Sequence, residues 1–326
     1  MRTVIKLFLT VFGVVLLTGC GQSGQKELFL VDFKEGESLR YKFVSERDIK
    51  ISVETASKPD KNTSHDMSER LELVMVYEPV DVKPFGLTTI EAVCESAKVT
   101  RTSFTAKGKM PTDAVESLAG KKFSFKVSPT GKITEHSEMD EIISQTGEKA
   151  FASTSGSQGR VKNPDMMMDF ITHVWHLWDS IALVKGREGI TVGRSWQGRQ
   201  LVPLPVNIPA GRETTYTLSE ITDTLTGRTA KIESTYGLTE PIREGFPRPY
   251  TGGYRLKGSL FAVLTNYKFT HLQGSGTQVF NIDTGTLEKD QQQYQVKMDA
   301  SFILPLGDSV PRVTVNQKFS TELLAN

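Results

Sequence analysis

Apolar and polar positions alternate with a period of two along most of the chain from residue 28 onward. Leu39, Tyr41 and Phe43 alternate with Arg40 and Lys42, and Leu71, Leu73, Met75 and Tyr77 with Glu72, Val74 and Val76. Phe123, Phe125 and Val127 face away from Ser124 and Lys126. The pattern returns in Tyr254–Leu256, Tyr267–Phe269, Tyr294–Val296–Met298 and Val313–Val315. Strands dry on one face and wet on the other produce this alternation, so the expected fold is mainly β with antiparallel strands. Nothing reads as a βαβαβ series, which argues against a nucleotide-binding doubly wound fold.

Turn chemistry agrees. Ser128-Pro129-Thr130-Gly131 separates two short strand runs, and Asp283-Thr284-Gly285 separates two more, each with Gly where a hairpin needs positive φ. Both lie in the frame Phe-x-(Val/Ile)-(Ser/Asp)-x-Thr-Gly-x-(Ile/Leu), 155 residues apart. The repeat predicts two β-rich units, 28–150 and 187–326, related by duplication, with a loop and helix over 151–186 between them.

Helical signals are few. Thr112–Leu118 is a short candidate capped by Thr112 and closed by Gly120. Ser137 opens a second, with Glu138 and Asp140 in its first turn and Gly147 near its end. The longest is expected over about 164–185, with Asn163 as cap, Pro164 in the first turn and Gly186 after it. Met167, Ile171, Val174, Trp178 and Ile181 form its apolar stripe, widened by Trp175. That stripe is expected to pack on a sheet, and Met167, Ile171, Trp175 and Trp178 are the candidate contacts for an apolar ligand held there. Its polar side carries Asp165, Asp169, Thr172, His173, His176, Asp179 and Ser180 and reads as a solvated face. Asp169, His173 and His176 have a spacing that can hold a metal, but the His-Glu-x-x-His pattern is missing, so no metal is expected.

The amino terminus adds a location. Arg2 and Lys6 precede an uncharged run, Leu7–Leu17, too short to span a bilayer as a permanent helix. Leu17-Thr18-Gly19-Cys20 then resembles the lipobox of bacterial lipoproteins. The resemblance covers the first twenty residues and implies a signal peptide over 1–19, cleavage before Cys20, and a diacylglycerol on the Cys20 sulfur. Two or three fatty chains make a stable anchor where one is marginal. Residues 20–27 form the lipidated Cys and its tether, with Gly21-Gln22-Ser23-Gly24-Gln25 flexible in composition. In didermal bacteria the non-acidic Gly21 fits the pattern sent to the periplasmic face of the outer membrane.

Charge and motif content narrow the function. Lys and Arg number 39 against 38 Asp and Glu, so nucleic acid is not an expected partner. With Cys20 lipidated, Cys94 has no disulfide partner and reads as a buried inert thiol. The one Ser-x-x-Lys, Ser23 to Lys26, lies in the tether. Gln273-Gly274-Ser275-Gly276 reads as a hairpin-like glycine pair rather than a phosphate cradle, and no nucleophile elbow, Walker loop, Cys-x-x-Cys or EF-hand is present. Leu201–Pro209, with three prolines, reads as an extended edge or linker, and Arg243–Tyr254 as a stiff loop wrapping a sheet edge. No catalytic residue or cofactor is therefore expected. The expected function is a lipid-anchored cell-envelope binding or scaffold module, with an envelope protein or glycan as partner. The alternative is a carrier for an acyl chain or other apolar ligand between sheet and helix.

Overall fold

The computed structural model describes residues 26–55, 60, 62–102, 112–151, 160–182, 184, 189–206, 208–241, 247–250, 253–257, 260–304 and 309–325. Cys20, the signal peptide, the tether through residue 25, and Gly186 lie outside the described residues. The alternating segments become strands: β1 (Leu39–Thr55), β2 (Thr63–Val82), β3 (Thr88–Thr102), β4 (Lys122–Val127), β5 (Ile133–Glu135), β6 (Arg160–Lys162), β7 (Ser195–Val202), β8 (Ala210–Thr224), β9 (Gly227–Thr239), β10 (Tyr254–Leu256), β11 (Leu264–Asn281), β12 (Thr286–Phe302) and β13 (Ser309–Leu323).

Eleven of them form one sheet in the order β5-β4-β3-β2-β1-β13-β12-β11-β9-β8-β7. Every pairing in it is antiparallel, as the alternation predicts. Tyr254–Leu256 departs from that expectation: β10 pairs in parallel with β6, outside the main sheet. The two halves of the chain meet where β1 pairs with β13, Tyr41 opposite Leu323 through Thr55 opposite Ser309. β1 to β5 are neighbours in chain order, and so are β7, β8, β9, β11 and β12. The two hairpins that share a sequence frame join the fourth and fifth strands of each series. Their tips, Gly131 (φ +82°) and Gly285 (φ +67°), adopt the left-handed backbone that only glycine takes without strain.

Inward residues of the long strands, among them Tyr41, Phe43, Ile49, Leu71, Leu73, Met75, Val296, Val313 and Val315, build one core. At about 25 cal/mol per Å² of apolar surface, this burial is the main force holding the fold. Gln273–Gly276, expected at a turn, lies instead inside β11. A Cβ on Gly274 would stand 2.2 Å from the Gln293 carbonyl oxygen, and one on Gly276 2.2 Å from the Tyr236 hydroxyl, so close approach and not turning requires these glycines.

The helices differ from expectation in detail. Residues 114–118 form a 3-10 turn capped by Asp113 rather than Thr112, with Asp113 and Glu116 in a capping box. α1 (Ser137–Ala150) begins where expected. The long helix divides into α2 (Met167–His176) and α3 (Asp179–Ala182). It starts later than Asn163, with Met166 at the N-cap and no side-chain cap bond, while Asp165 accepts from the Met167 N–H (3.3 Å). It breaks at Leu177 and Trp178, where the Ile181 N–H turns back to the Trp178 carbonyl (3.0 Å). A strap, residues 27–33, crosses one end of the sheet with Phe29, Val31 and Phe33 buried. Pro203–Val206 follow the edge strand β7 outside any strand, bending at Pro205 and Val206, and all four are buried.

Candidate functional site

The helix α2 lies against the inner face, and strands from both edges of the sheet reach it. Phe170 meets Phe123 of β4 (6.2 Å between ring centroids), while the Leu201 N–H of β7 donates to His176 Nε2 (3.4 Å). Met167, Ile171 and Trp178, three of the candidate ligand contacts, are fully buried. The Trp178 ring packs on Phe33 (5.5 Å), Tyr77 (5.8 Å) and Phe125 (6.4 Å). Trp175 is half-buried with its ring edge-on to His136 (4.9 Å). The apolar stripe is thus occupied by protein.

The polar side overturns an expectation. Asp165, Asp169, Thr172, His173 and Ser180 are all buried, so this side of the helix is not a solvated face. The cause is a set of inward polar residues on the strands. Ser45 and Arg47 occupy the apolar phase of β1, and Glu69 that of β2 between Met67 and Leu71. A polar residue in the buried phase of an alternating strand is the sequence signal that could have found this cluster.

At the start of α2 the cluster is ionic. Arg47 donates to Glu69 (2.5 Å) and Asp169 (3.0 Å), and Arg101 to Glu69 (2.5 Å) and Asp113 (2.8 Å). Lys162 pairs with Asp165 (2.7 Å), which also accepts from the Tyr250 hydroxyl. Ser45 donates to Asp169 (2.6 Å) and accepts from Gln317 (2.7 Å). Asp113 further accepts from the backbone N–H groups of Val115 (3.0 Å) and Met166 (3.2 Å), so it fixes the turn before the helix. Four acids thus face three bases. Burial and the neighbouring Asp165 push the Asp113 carboxyl up to about 6. Burial opposes the charge of Glu69, but Arg47 and Arg101 prevail and hold it below the usual carboxylate range.

Beyond the other end of α2 the cluster is built mainly of amides. Arg212 donates to Gln200 (2.6 and 2.9 Å) and Gln292 (2.6 Å) and lies over the rings of Tyr236 (4.3 Å) and Tyr294 (5.2 Å). Gln200 also donates to Asp179 (3.0 Å), and Asp179 pairs with His176 Nδ1. Both ring nitrogens of His176 are therefore engaged by the protein. His173 stacks on Phe43 (4.2 Å between centroids), and burial pushes its pKa down to about 3, so it is neutral. Among the described residues no group of three or more His, Cys, Asp or Glu is placed to hold a metal ion.

Between these residues lies a cavity of about 30 Å³ lined by Phe43, Thr172, His173, Arg212 and Asp290 among others. The outer face differs. A groove of about 470 Å³ crosses β2, β1, β13, β12 and β11 there, lined by Arg70, Glu46, Lys318, Gln293, Ser275 and neighbours. These five stand directly opposite one another from strand to strand, so they form one cross-strand row. A second hollow of about 370 Å³ shares Glu46, Arg70 and Lys318 and extends the row to Thr100 on β3. Cys94 is buried and its thiol is pushed by burial up to about 11, which makes it inert at neutral pH.

No family model and no curated protein matches the chain. Among solved structures, an outer membrane channel from Pseudomonas putida F1 aligns over 90% of this chain and 97% of its own, at 6% identity and a TM-score of 0.18. Acinetobacter baumannii OccAB4 aligns over 89% and 98%, at 8% identity and a TM-score of 0.18. Pseudomonas aeruginosa OpdL aligns over 87% and 98%, at 11% identity and a TM-score of 0.15. Scores this low carry no argument about function.

Proposed function

We propose that this chain is a lipid-anchored protein of the bacterial cell envelope whose body is a non-catalytic binding or scaffold module, and that its partner is met by the groove on the outer face of the sheet. The observation that carries this is the contrast between the two faces. The inner face around α2 is filled, leaving about 30 Å³ there, while the outer face keeps a groove of about 470 Å³. Pockets for drug-sized ligands occupy roughly 300–1,000 Å³, so the cavity between sheet and α2 is an order of magnitude too small for an acyl chain. Amides and hydroxyls line the groove alongside the compensating pairs of Arg70 with Glu46 and Glu72, which suits a polar, extended partner, a glycan or a protein segment. A polar outward row is the reverse of the apolar belt that a lipid-spanning barrel presents, which supports an aqueous body moored at a membrane.

The mooring is assigned to Cys20, with the periplasmic face of the outer membrane as the site in a didermal cell. The equivalent serial places of the two hairpins support descent of the two halves from one duplicated unit. Two measurements test the proposal. Cys20→Ser should move the full chain from the detergent to the aqueous phase on cloud-point separation and lower its mass by the acyl groups. Soluble cell-wall glycan fragments or envelope extracts, titrated into the labelled protein, should shift the amide resonances of Gln291 and Gln293. Unchanged partitioning would remove the anchor; lipid copurifying stoichiometrically with the Cys20→Ser chain would replace the binding module with the carrier.

A further inference from the structure

We infer that the end of the sheet from which the tether leaves rests on the bilayer that holds the anchor, with Phe85 and Leu225 inserted among the lipid headgroups. This rests on the assignment of Cys20 as the lipidated residue.

Strand directions bring the relevant turns together. Val82 lies opposite Thr88, Thr88 opposite Val127, Asn281 opposite Thr286 and Thr224 opposite Gly227, which puts the β2–β3, β4–β5, β8–β9 and β11–β12 turns at one end. The strap crosses that same end. Glu27 exchanges backbone bonds with Ile190 (both 2.8 Å), and the Val31 N–H donates to the Pro129 carbonyl at the β4–β5 tip (2.9 Å). Arg228, beside the β8–β9 tip, holds Glu27 at 2.9 and 3.0 Å and Asp283 of the β11–β12 tip at 2.8 and 3.0 Å. The chain therefore enters the fold at the hairpin-tip end. From Cys20 to Lys26 are six steps, about 20 Å when fully extended, so this end cannot stand far from the lipid.

The two most exposed large apolar side chains of the described residues lie here. Phe85, at the β2–β3 tip, is 91% exposed, and Leu225, at the β8–β9 tip, is fully exposed. Leu28 and Leu30 point outward from the strap between them, and Val192 follows Ile190. Aromatic and aliphatic side chains at the headgroup level gain by leaving water. An anchored body meets the surface at high effective concentration, so a few such residues suffice to orient it. The outer groove stays clear of the surface: Glu46 is seven residues along β1 from Leu39, roughly 23 Å up the sheet.

The test uses the full lipidated chain with Phe85→Cys, Leu225→Cys or, as control at the far end, Leu304→Cys, which replaces a residue 74% exposed. Each is labelled with an environment-sensitive fluorophore and reconstituted into phosphatidylcholine vesicles with or without brominated acyl chains; buried Cys94 does not compete for label. Brominated lipid should quench the labels at 85 and 225 about two-fold or more, with a blue shift, and leave the label at 304 unchanged. Equal quenching at all three, or none at 85 and 225, overturns the inference. A blue shift at 85 and 225 without quenching also overturns it and assigns the patch to a contact between copies. Flotation of the same samples separates the two claims: a chain that does not float lacks the anchor, and the docking falls with it, whereas a chain that floats with unquenched tips is anchored but hangs free.

Discussion

The two ends of α2 meet polar clusters that solve the same problem differently. At its start, the side chains of Arg47, Arg101 and Lys162 are buried beside Glu69, Asp113, Asp165 and Asp169. Beyond its end, Arg212 is held by the amide oxygens of Gln200 and Gln292 and by two tyrosine rings, with no carboxylate of the described residues at ion-pair distance. The ionic cluster spends nearly every donor and acceptor on the protein; of Arg47 only Nη2 has no partner among the described residues. The amide cluster leaves Arg212 Nη1, Asp290 Oδ1, Thr172 Oγ1 and His173 Nε2 without partners among the described residues around its small cavity. Ion pairs taken out of water repay their desolvation only when the geometry is complete, and here it ties β1, β2 and β3 to the helix. Neutral amides carry a smaller desolvation penalty than ions, although each buried polar group still needs a hydrogen-bond partner. The first cluster is a clamp, and the second is an adjustable polar seam.

The largest effect should follow from breaking the clamp. Asp169→Ala leaves Arg47 buried with only Glu69 to neutralise it, and should cost about 3–5 kcal/mol of unfolding free energy in urea titration. Replacing both partners, Arg47→Met with Asp169→Leu, should recover most of that loss, because an apolar pair of similar volume carries no desolvation cost. An Asp169→Ala loss under about 1 kcal/mol would mean that the ionic cluster holds the helix no more firmly than the seam does.

How much of this was legible follows from which residues carry contrast. Strands such as β1 and β12 alternate strongly, so their existence and inward phase could be read directly. β8 alternates Thr214, Tyr216 and Leu218 with Thr215 and Thr217, a low-contrast pattern that periodicity barely registers. The polar side of α2 was misread because a helix records only its own spacing. Its partners, Ser45 and Arg47, stand more than 120 positions away in sequence. Those residues interrupt the apolar phase of β1, so the signal existed, but in the strand rather than the helix. The apolar stripe was read correctly as a stripe; that its surface is covered by Phe33, Tyr77 and Phe125 depends on how the sheet curls, which no local pattern encodes.

A second experiment compares the clusters through their titration. His173 beside the seam has its pKa lowered from 6.5 to about 3. The unfolded chain therefore binds a proton near pH 6.5 that the folded chain refuses, and this group subtracts stability as pH falls. Asp113 in the clamp runs the other way, raised from 3.8 to about 6: its contribution is full below the unfolded value and is lost as pH rises through 6. Asp169, also pushed up by burial, acts with Asp113, while Glu69, held low, withdraws stability only below its unfolded value of 4.5. The wild-type chain should accordingly show a shallow pH dependence in the mildly acidic range. His173→Phe, which keeps the stack on Phe43, should gain about 2 kcal/mol relative to wild type as pH falls from 6.5 to 5. Parallel profiles would show that His173 takes up its proton in the folded state and that the seam is wetter than its burial implies.

The smallest effect should come from the unpaired atoms of the seam. A cavity of about 30 Å³ with several polar atoms around it has room for one water molecule, which such groups share. Thr172 contributes a hydroxyl with no partner among the described residues, so Thr172→Val removes one water contact and keeps the shape of the side chain. Its cost in urea titration should stay below about 1 kcal/mol, against the several expected for Asp169→Ala. A loss comparable to that of Asp169→Ala would mean that the hydroxyl is as tightly engaged as the clamp carboxylates. The difference between clamp and seam would then lie in charge alone and not in how completely each is paired.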